Sequence, residues 1–277
     1  MNPRIIASIC LAIAGLPAMA EDEPAPHPIL TDKFIVQAGA FFPKLSFDAS
    51  VNGNNTGEHP IYDFEGQFGL KDNQDIAALE FQWRYRGNWS LRGQYYDVSR
   101  SASTFLQSDV EWGEVVFQAG SNVRADTGLE LLRLFFARNF SDKPNHEYGI
   151  GLGIHRLGIG VGLAGEFLID GVQLSKGERA VGVTAPLPNI GGWYDWSPAP
   201  KWQIGARIDW MQASIGDYSG GLTNLAAGAN YQAFSNVGFG LKYQRFTLNL
   251  DVRRQFWDGS VKLNYEGLYV YLSGNWN

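Results

Sequence analysis

The chain predicts an antiparallel transmembrane β-barrel, and three observations carry that expectation. The stretch Lys201–Gln212 alternates strictly, with Trp202, Ile204, Ala206, Ile208 and Trp210 on one face and Gln203, Gly205, Arg207, Asp209 and Met211 on the other. Period-2 alternation is the mark of a strand, because successive β side chains point to opposite faces. Its two tryptophans are eight residues apart, or about 26 Å along a strand at ~3.3 Å per residue, which suits a lipid-facing strip with an aromatic at each boundary. Second, the composition of 14% aromatic, 33 Gly and 9 Trp with only 18% charged residues fits aromatic girdles and curved strands better than a water-soluble domain. Third, no apolar run after residue 20 approaches the ~18 residues a membrane helix needs.

The first 20 residues form a targeting segment rather than part of the fold. Arg4 supplies the positive end, Ile5–Gly15 is apolar apart from Ser8, and Pro17-Ala18-Met19-Ala20 ends in the small-x-small pattern of a signal-peptidase site. Cleavage after Ala20 leaves 277 − 20 = 257 residues, and the net charge of −6 becomes −7 with the loss of Arg4. Cys10 is the only cysteine and lies in this segment, so the mature chain has neither disulfide nor thiolate chemistry. The acidic balance argues against nucleic acid as a partner. Residues 21–33, with Pro24, Pro26 and Pro28, form a loose tail, and residues 34–277 form the barrel.

The first strand begins near Phe34, with Phe34, Val36, Ala38, Ala40 and Phe42 on one face; Pro43 predicts a bend or bulge. Val51–Gln74 is a long polar loop. The second strand, about Asp75 to Arg86, turns Ala77, Leu79, Phe81, Trp83 and Tyr85 outward and Ala78, Glu80, Gln82, Arg84 and Arg86 inward. Gly87-Asn88 is a tight turn. The third strand runs from Trp89 to about Thr104, with Arg92 and Gln94 inward, and a second polar segment spans Leu106–Asn122. The fourth turns Leu132, Leu134 and Phe136 outward and Arg133 inward, and ends at the Ser141–Asn145 turn. The fifth places Tyr148, Ile150, Leu152 and Ile154 outward and Gly149, Gly151, Gly153 and His155 inward. Beyond Arg156 the apolar phase flips to Leu157, Ile159 and Val161, which implies a bulge or an exit from the membrane.

Ala164–Val183 is a third long loop. A sixth strand ends in Ile190, Gly192, Tyr194 and Trp196, and Ser197–Pro200 turns into the seventh, Lys201–Gln212. After the Gly216–Gly220 loop, the eighth strand carries Leu225, Ala227, Ala229 and Tyr231 opposite Asn224, Gly228, Asn230 and Gln232. The ninth carries Val237, Phe239, Leu241 and Tyr243 and slips phase near Gln244-Arg245. A loop at Arg253–Ser260 leads to the last strand, about Lys262 to Trp276. Ten strands result; merging a hairpin gives eight, and splitting Ala164–Val183 gives twelve. Short turns near Gly87, Pro144, Pro198 and Ser235 alternate with longer loops, as in membrane barrels. Trp83, Trp89, Trp196, Trp202, Trp210 and Trp276 are the candidate aromatic girdle.

The C-terminal run Tyr265–Asn277 resembles the closing strand of Gram-negative outer-membrane β-barrel proteins, with Gly267, Val270 and Leu272 at the spacing of that signal. Asn277 departs from the usual terminal aromatic, and Trp276 stands in phase with Leu272 and Val270. Ala40–Pro43, Thr184–Pro188 and Val237–Tyr243 also look like pieces of proteobacterial barrels. The resemblance covers most of residues 34–277. It implies an outer-membrane location, short periplasmic turns, longer external loops, a periplasmic tail at 21–33, contact with outer-membrane lipids and lipopolysaccharide, and insertion by the barrel-assembly machinery. It implies no activity.

Barrels of this size include enzymes, so their constellations were sought. Lipid-cleaving barrels place a His two residues before a nucleophilic Ser on one strand face; none of the four histidines begins a His-x-Ser. Ten-stranded surface proteases use acidic pairs with an Asp-x-His, and Asp109-Val110-Glu111 is the only echo. No His/Cys/Asp spacing points to a metal or other cofactor, and Gly149-x-Gly151-x-Gly153 lacks the strand-to-helix context of a phosphate loop. His155 is read as a polar residue filling space. The informative residues are the inward charges Glu80, Arg84, Arg92, Arg133, Arg207, Asp209 and Lys242, which sum to +3. They predict either a paired network filling the lumen or a hydrated, anion-favouring pore. Barrels this narrow fill with side chains, and inward Tyr265, Tyr269 and Tyr271 add bulk. The expectation is a non-enzymatic barrel of structural or surface-interaction role, with a narrow channel for small, anionic solutes as the alternative and an outer-membrane lipid-modifying enzyme or protease as the least favoured. Asp63, Glu65, Asp109, Glu111, Glu166, Asp170 and Trp257 are its loop-borne candidates for contact with lipopolysaccharide, cations or another cell.

Overall fold

The computed structural model describes residues 25–52, 60–141, 143–169, 173–254 and 257–277. The expected signal segment and its cleavage site lie outside them. In chain order, the described elements are α1 (Pro28–Thr31), β1 (Phe34–Asn52), β2 (Tyr62–Asp63), α2 (Phe64–Phe68), β3 (Ile76–Tyr85), β4 (Trp89–Phe105), β5 (Val110–Trp112), β6 (Val115–Phe117), β7 (Asn122–Asn139), β8 (His146–Ile169), β9 (Gln173–Ala199), β10 (Trp202–Ile215), β11 (Tyr218–Gln232), β12 (Val237–Arg254) and β13 (Trp257–Trp276). All thirteen strands join one sheet. Antiparallel ladders run β1–β3–β4–β7–β8–β9–β10–β11–β12–β13 and return to β1, closing the sheet into a barrel. Closure leaves the ring without the unpaired edges that would otherwise template association.

The alternation in the sequence decides the wall. Leu79, Ile150, Leu152, Ile204, Ile208, Leu241, Val270 and Leu272 stand exposed around the outside, a continuous apolar belt that water would not tolerate. At the short-turn end it is bordered by stacked aromatics: Phe34 lies between Trp83 and Trp276 at ring separations of 6.3 and 6.4 Å, Trp89 stacks on Phe136 at 4.8 Å, and Trp202 meets Tyr231 at 5.0 Å. Trp196 stacks on His146 at the same end. Trp210 alone of the six girdle tryptophans lies toward the long-hairpin end, opposite Thr223 and Ile190.

The phase flips are not bulges. β8 pairs with β7 and β9 without a register shift from His155 through Leu163, and β12 pairs with β11 and β13 without a shift across Gln244–Arg245. The strands keep their parity while the surroundings change. On the hairpin side of the cross-strand row Lys44–Glu266–Arg245, outward positions become Arg156, Gly158, Gly160, Thr247, Asn249 and Lys262. Inward positions become Leu157, Ile159, Phe246, Leu248, Val261 and Leu263, all buried. Each such side chain contributes about 1.5–3 kcal/mol by leaving water. The barrel is therefore apolar outside at one level and apolar inside at the next.

Several loop expectations are corrected by the same continuation. Ala164–Val183 is largely strand, with Leu163↔Arg179 through Ile169↔Gln173 paired, and the β12–β13 hairpin likewise runs paired to Arg254↔Trp257. The expected loop at Gly216 is a two-residue turn with Gly216 at φ 58°. Pro43 produces no bulge: Phe42↔Leu268, Pro43↔Gly267 and Lys44↔Glu266 are in unbroken register, and the proline falls where β1 has already parted from β3, an edge that asks for no N–H. The two polar segments fold inward. Asp63 caps α2 by accepting from the Gly66 N–H at 2.9 Å, and Gly69 at φ 72° ends it. Tyr62, Phe64 and Phe68 then pack with Trp112 and Phe117 from β5 and β6 into the hairpin end of the core.

The tail is not loose throughout. From His27 to Asp32 it turns back against the short-turn end of the barrel, with His27, Ile29 and Leu30 buried.

Candidate functional site: a charged layer inside the belt

Within the belt, inward parity brings the polar residues of nine strands to one level. The seven expected residues all face this lumen layer, and they pair. Asp209, wholly buried, accepts from Arg207 Nη2 at 2.8 Å and Nε at 3.0–3.1 Å, from Arg133 Nη2 at 3.1 Å, and from Asn189 and Asn224 at 3.3 and 3.1 Å. Lys242 donates to Glu80 at 2.6 Å and to Gln37. Arg84 and Arg92 both reach Glu147 at 2.6 Å, and Trp193 Nε1 donates to the same carboxylate at 3.2 Å. Each carboxylate thus serves as a hub, and charge-assisted bonds of this kind are the strong ones.

Two members were missed by sequence reasoning, Glu147 and Asp195. Glu147 falls between the expected Ser141–Asn145 turn and Tyr148, the first residue assigned to the expected fifth strand, although it lies two residues before Gly149 on the face assigned inward. Asp195 shares its parity with inward Trp193 and accepts from Gln203 at 2.7 Å. Adding both to the expected set changes its sum from +3 to +1, five cations against four carboxylates.

Aromatic rings fill the rest. The guanidinium of Arg92 lies 4.0 Å from the Trp193 ring centroid, and Phe135 lies between those of Arg207 and Arg133 at 4.2 and 5.0 Å. These rings explain the glycine track on β8: a Cβ at Gly149 would come within 2.6 Å of Trp193, and one at Gly151 within 2.6 Å of Phe135 and 2.3 Å of a backbone oxygen. Between the charged layer and the tail lies a cavity of about 130 Å³, lined by Arg92, Arg133, Arg207, Lys242, Gln203 and Ile29 among others. On the hairpin side the layer is closed by Phe41, Phe246 and the hydrogen-bonded pair Tyr96 and Tyr265, all buried.

His155 sits at that boundary, 1% exposed, in register with Arg133 and 6.3 Å from the Phe246 ring, with Nδ1 unpartnered. Among the described residues, no three His, Cys, Asp or Glu side chains gather as a metal site. The loop-borne candidates have structural contacts: Glu65 pairs with buried Arg100 and accepts from Phe47 N–H, Asp109 accepts from Ala119 N–H, and the backbone N–H of Glu111 donates to Tyr62. Burial raises the Tyr62 hydroxyl above its usual pKa. Asp170 and the side chain of Trp257 lie outside the described residues.

Among solved structures, the chain is similar to the outer membrane protease OmpT from Escherichia coli, with 12% identity over 87% of this chain and 97% of that one at a TM-score of 0.56. The fold is that of an outer-membrane β-barrel. The barrel also matches a FadL homologue from Pseudomonas aeruginosa (9% identity, 91% of this chain and 93% of that one, TM-score 0.39) and the Ail protein of Yersinia pestis (9%, 86% and 99%, TM-score 0.28). Superpositions that loose carry no weight for the barrel. No family model and no curated protein matches it.

Proposed function

We propose that this chain is a ten-stranded barrel of the Gram-negative outer membrane, delivered by a cleaved signal segment, that closes its lumen rather than conducting through it. The strand count rests on the closed ring, which passes through thirteen strands less β2, β5 and β6, or 13 − 3 = 10. One observation carries the reading of the lumen: it is filled at three successive levels. The docked tail occupies one mouth, the paired charged layer the middle, and the apolar core with α2 and β5–β6 the other end. Work is then left to the wall that stands beyond the belt, as a structural or surface-contact element without catalysis.

Lys44, Arg156, Arg245 and Lys262, exposed just outside the belt, complement the phosphates of outer-leaflet lipid and lipopolysaccharide. The alternating strand β13 is the part offered to the assembly machinery. Planar-bilayer recording of the purified protein tests the proposal: no discrete conductance is expected, and reproducible unitary steps would overturn it.

A further inference from the structure

We infer that the short-turn half of the lumen is a dead-end binding vestibule for small anions, closed by the docked segment His27–Asp32. The segment is held by few bonds. His27 N–H donates to Ser197 Oγ at 3.0 Å, Asn275 Nδ2 to Asp32 Oδ2 at 2.6 Å, and Arg84 Nη1 to the Asp32 carbonyl at 2.7 Å, while Ile29 faces the cavity. Its helix is four residues long, far too short to persist on its own. Docking and release are therefore set by these bonds together with the burial of His27, Ile29 and Leu30.

Release changes the charge of the space beneath. With the segment docked, Asp32 joins Glu80, Glu147, Asp195 and Asp209, and five carboxylates balance Arg84, Arg92, Arg133, Arg207 and Lys242. When it leaves, Asp32 goes with it, together with His27, and the lumen carries one excess positive charge. The four remaining carboxylates are already held by donors: Glu80 by Lys242 and Gln94, Asp195 by Gln203, and the two hubs by arginines. The arginines keep capacity in reserve. Arg92 and Arg133 both line the cavity, both are more than nine-tenths buried, and the Nε of each has no acceptor. Unpaired buried donors beside an excess of positive charge recognise an anion. The closed core beyond Tyr96 and Tyr265 makes the space a pocket rather than a passage, so the inference goes beyond the closed-lumen proposal and fails separately from it.

The test uses Ala226→Cys, a small inward residue at the cavity in a mature chain that has no other cysteine. Anionic and cationic methanethiosulfonates of similar size are applied to the folded protein in detergent. The intact tail should leave both slow. Removal of the residues before Lys33, or Ile29→Glu in the full-length chain, should raise the rate tenfold or more, with the anionic reagent faster at low salt. Arg133→Met in that background should narrow the difference. Heat-dependent gel mobility reports that each variant is folded; should the shortened chain fail it, Ser197→Ala with Asn275→Ala weakens the same docking. Equal rates with and without the docked tail, or a cationic reagent that keeps pace with the anionic one, would overturn the inference. Bilayer conductance, measured alongside, reports on the closed lumen independently.

Discussion

Asp209→Ala is the sharpest probe of the charged layer. The carboxylate is wholly buried and accepts from two arginines and two asparagines. Its removal leaves Arg133 and Arg207 facing each other across Phe135 with no counter-charge, and both are enclosed by the wall. Breaking a buried pair by deleting one partner costs about 3–5 kcal/mol, and here two cations are orphaned by one change, so the upper end of that range is expected. Urea unfolding in lipid vesicles, followed by tryptophan fluorescence and gel mobility, measures it. A companion variant replaces the triad with Asp209→Leu, Arg133→Met and Arg207→Met. It should recover much of the loss, because apolar residues of similar volume need no compensation. An Asp209→Ala protein within about 1 kcal/mol of the parent, the range of an exposed pair, would refute the reasoning: water would then be solvating the arginines, and the layer would not be a plug.

Three further outcomes follow. Leu152→Lys, at the middle of the belt between Tyr148 and Arg156, should cost about 2–4 kcal/mol by vesicle unfolding, whereas Gly160→Lys, eight residues on and on the same strand face, should fall within about 0.5 kcal/mol of the parent, since a Cβ there meets open space. Gly151→Ala should cost about 1–3 kcal/mol by the same assay through overpacking against a backbone oxygen. Burial lowers the pKa of His27 to about 4, with Asp32 opposing, so the docked tail binds fewer protons than the released one. Docking should be strongest above the free imidazole value of about 6.5 and weaken as pH falls toward 4, seen as faster amide exchange over residues 27–32, and His27→Asn should flatten the profile.

The belt was legible because parity and period suffice for it: Trp202 to Trp210 needed no partner to be read as a strand. The charged layer was legible for the same reason; the parity that turns Gly149 and Trp193 inward also turns Glu147 and Asp195 inward, but both stand at the strand ends nearest the short turns, where the alternation is briefest. What parity could not supply was the medium on each side. Leu157 and Phe246 read as slips because outward was equated with apolar along the whole strand; the correct rule holds the parity and changes the solvent. Tyr62, Phe64 and Trp112 sat in segments that looked like loops because polar neighbours outnumber them, and their burial depends on tertiary contacts with Phe47 and Phe117. The docking of His27–Asp32 depends on Ser197 and Asn275, 170 and 243 residues away, and no local pattern announces it.

The change of medium along each strand also divides the barrel into halves held by different forces. Beyond the belt, water outside leaves the interior free to be apolar, and the core there is packed as in a soluble barrel, with stabilisation proportional to buried area. Opening it exposes Leu157, Leu163, Leu248 and Leu263 together, a cooperative loss. Within the belt, lipid takes the apolar face, and the interior is left to paired charges whose desolvation cost offsets much of their attraction. With the tail docked the layer stays dry; once the segment is displaced, water reaches polar atoms there, whereas parting the leucines exposes apolar area. The two halves therefore yield unequally. Solute can reach the arginines from the short-turn end by displacing a six-residue segment, while passage to the other side requires the apolar core to part. On the proposed reading, a vestibule open to one side and a lumen closed to conduction would be two consequences of one inversion in the wall.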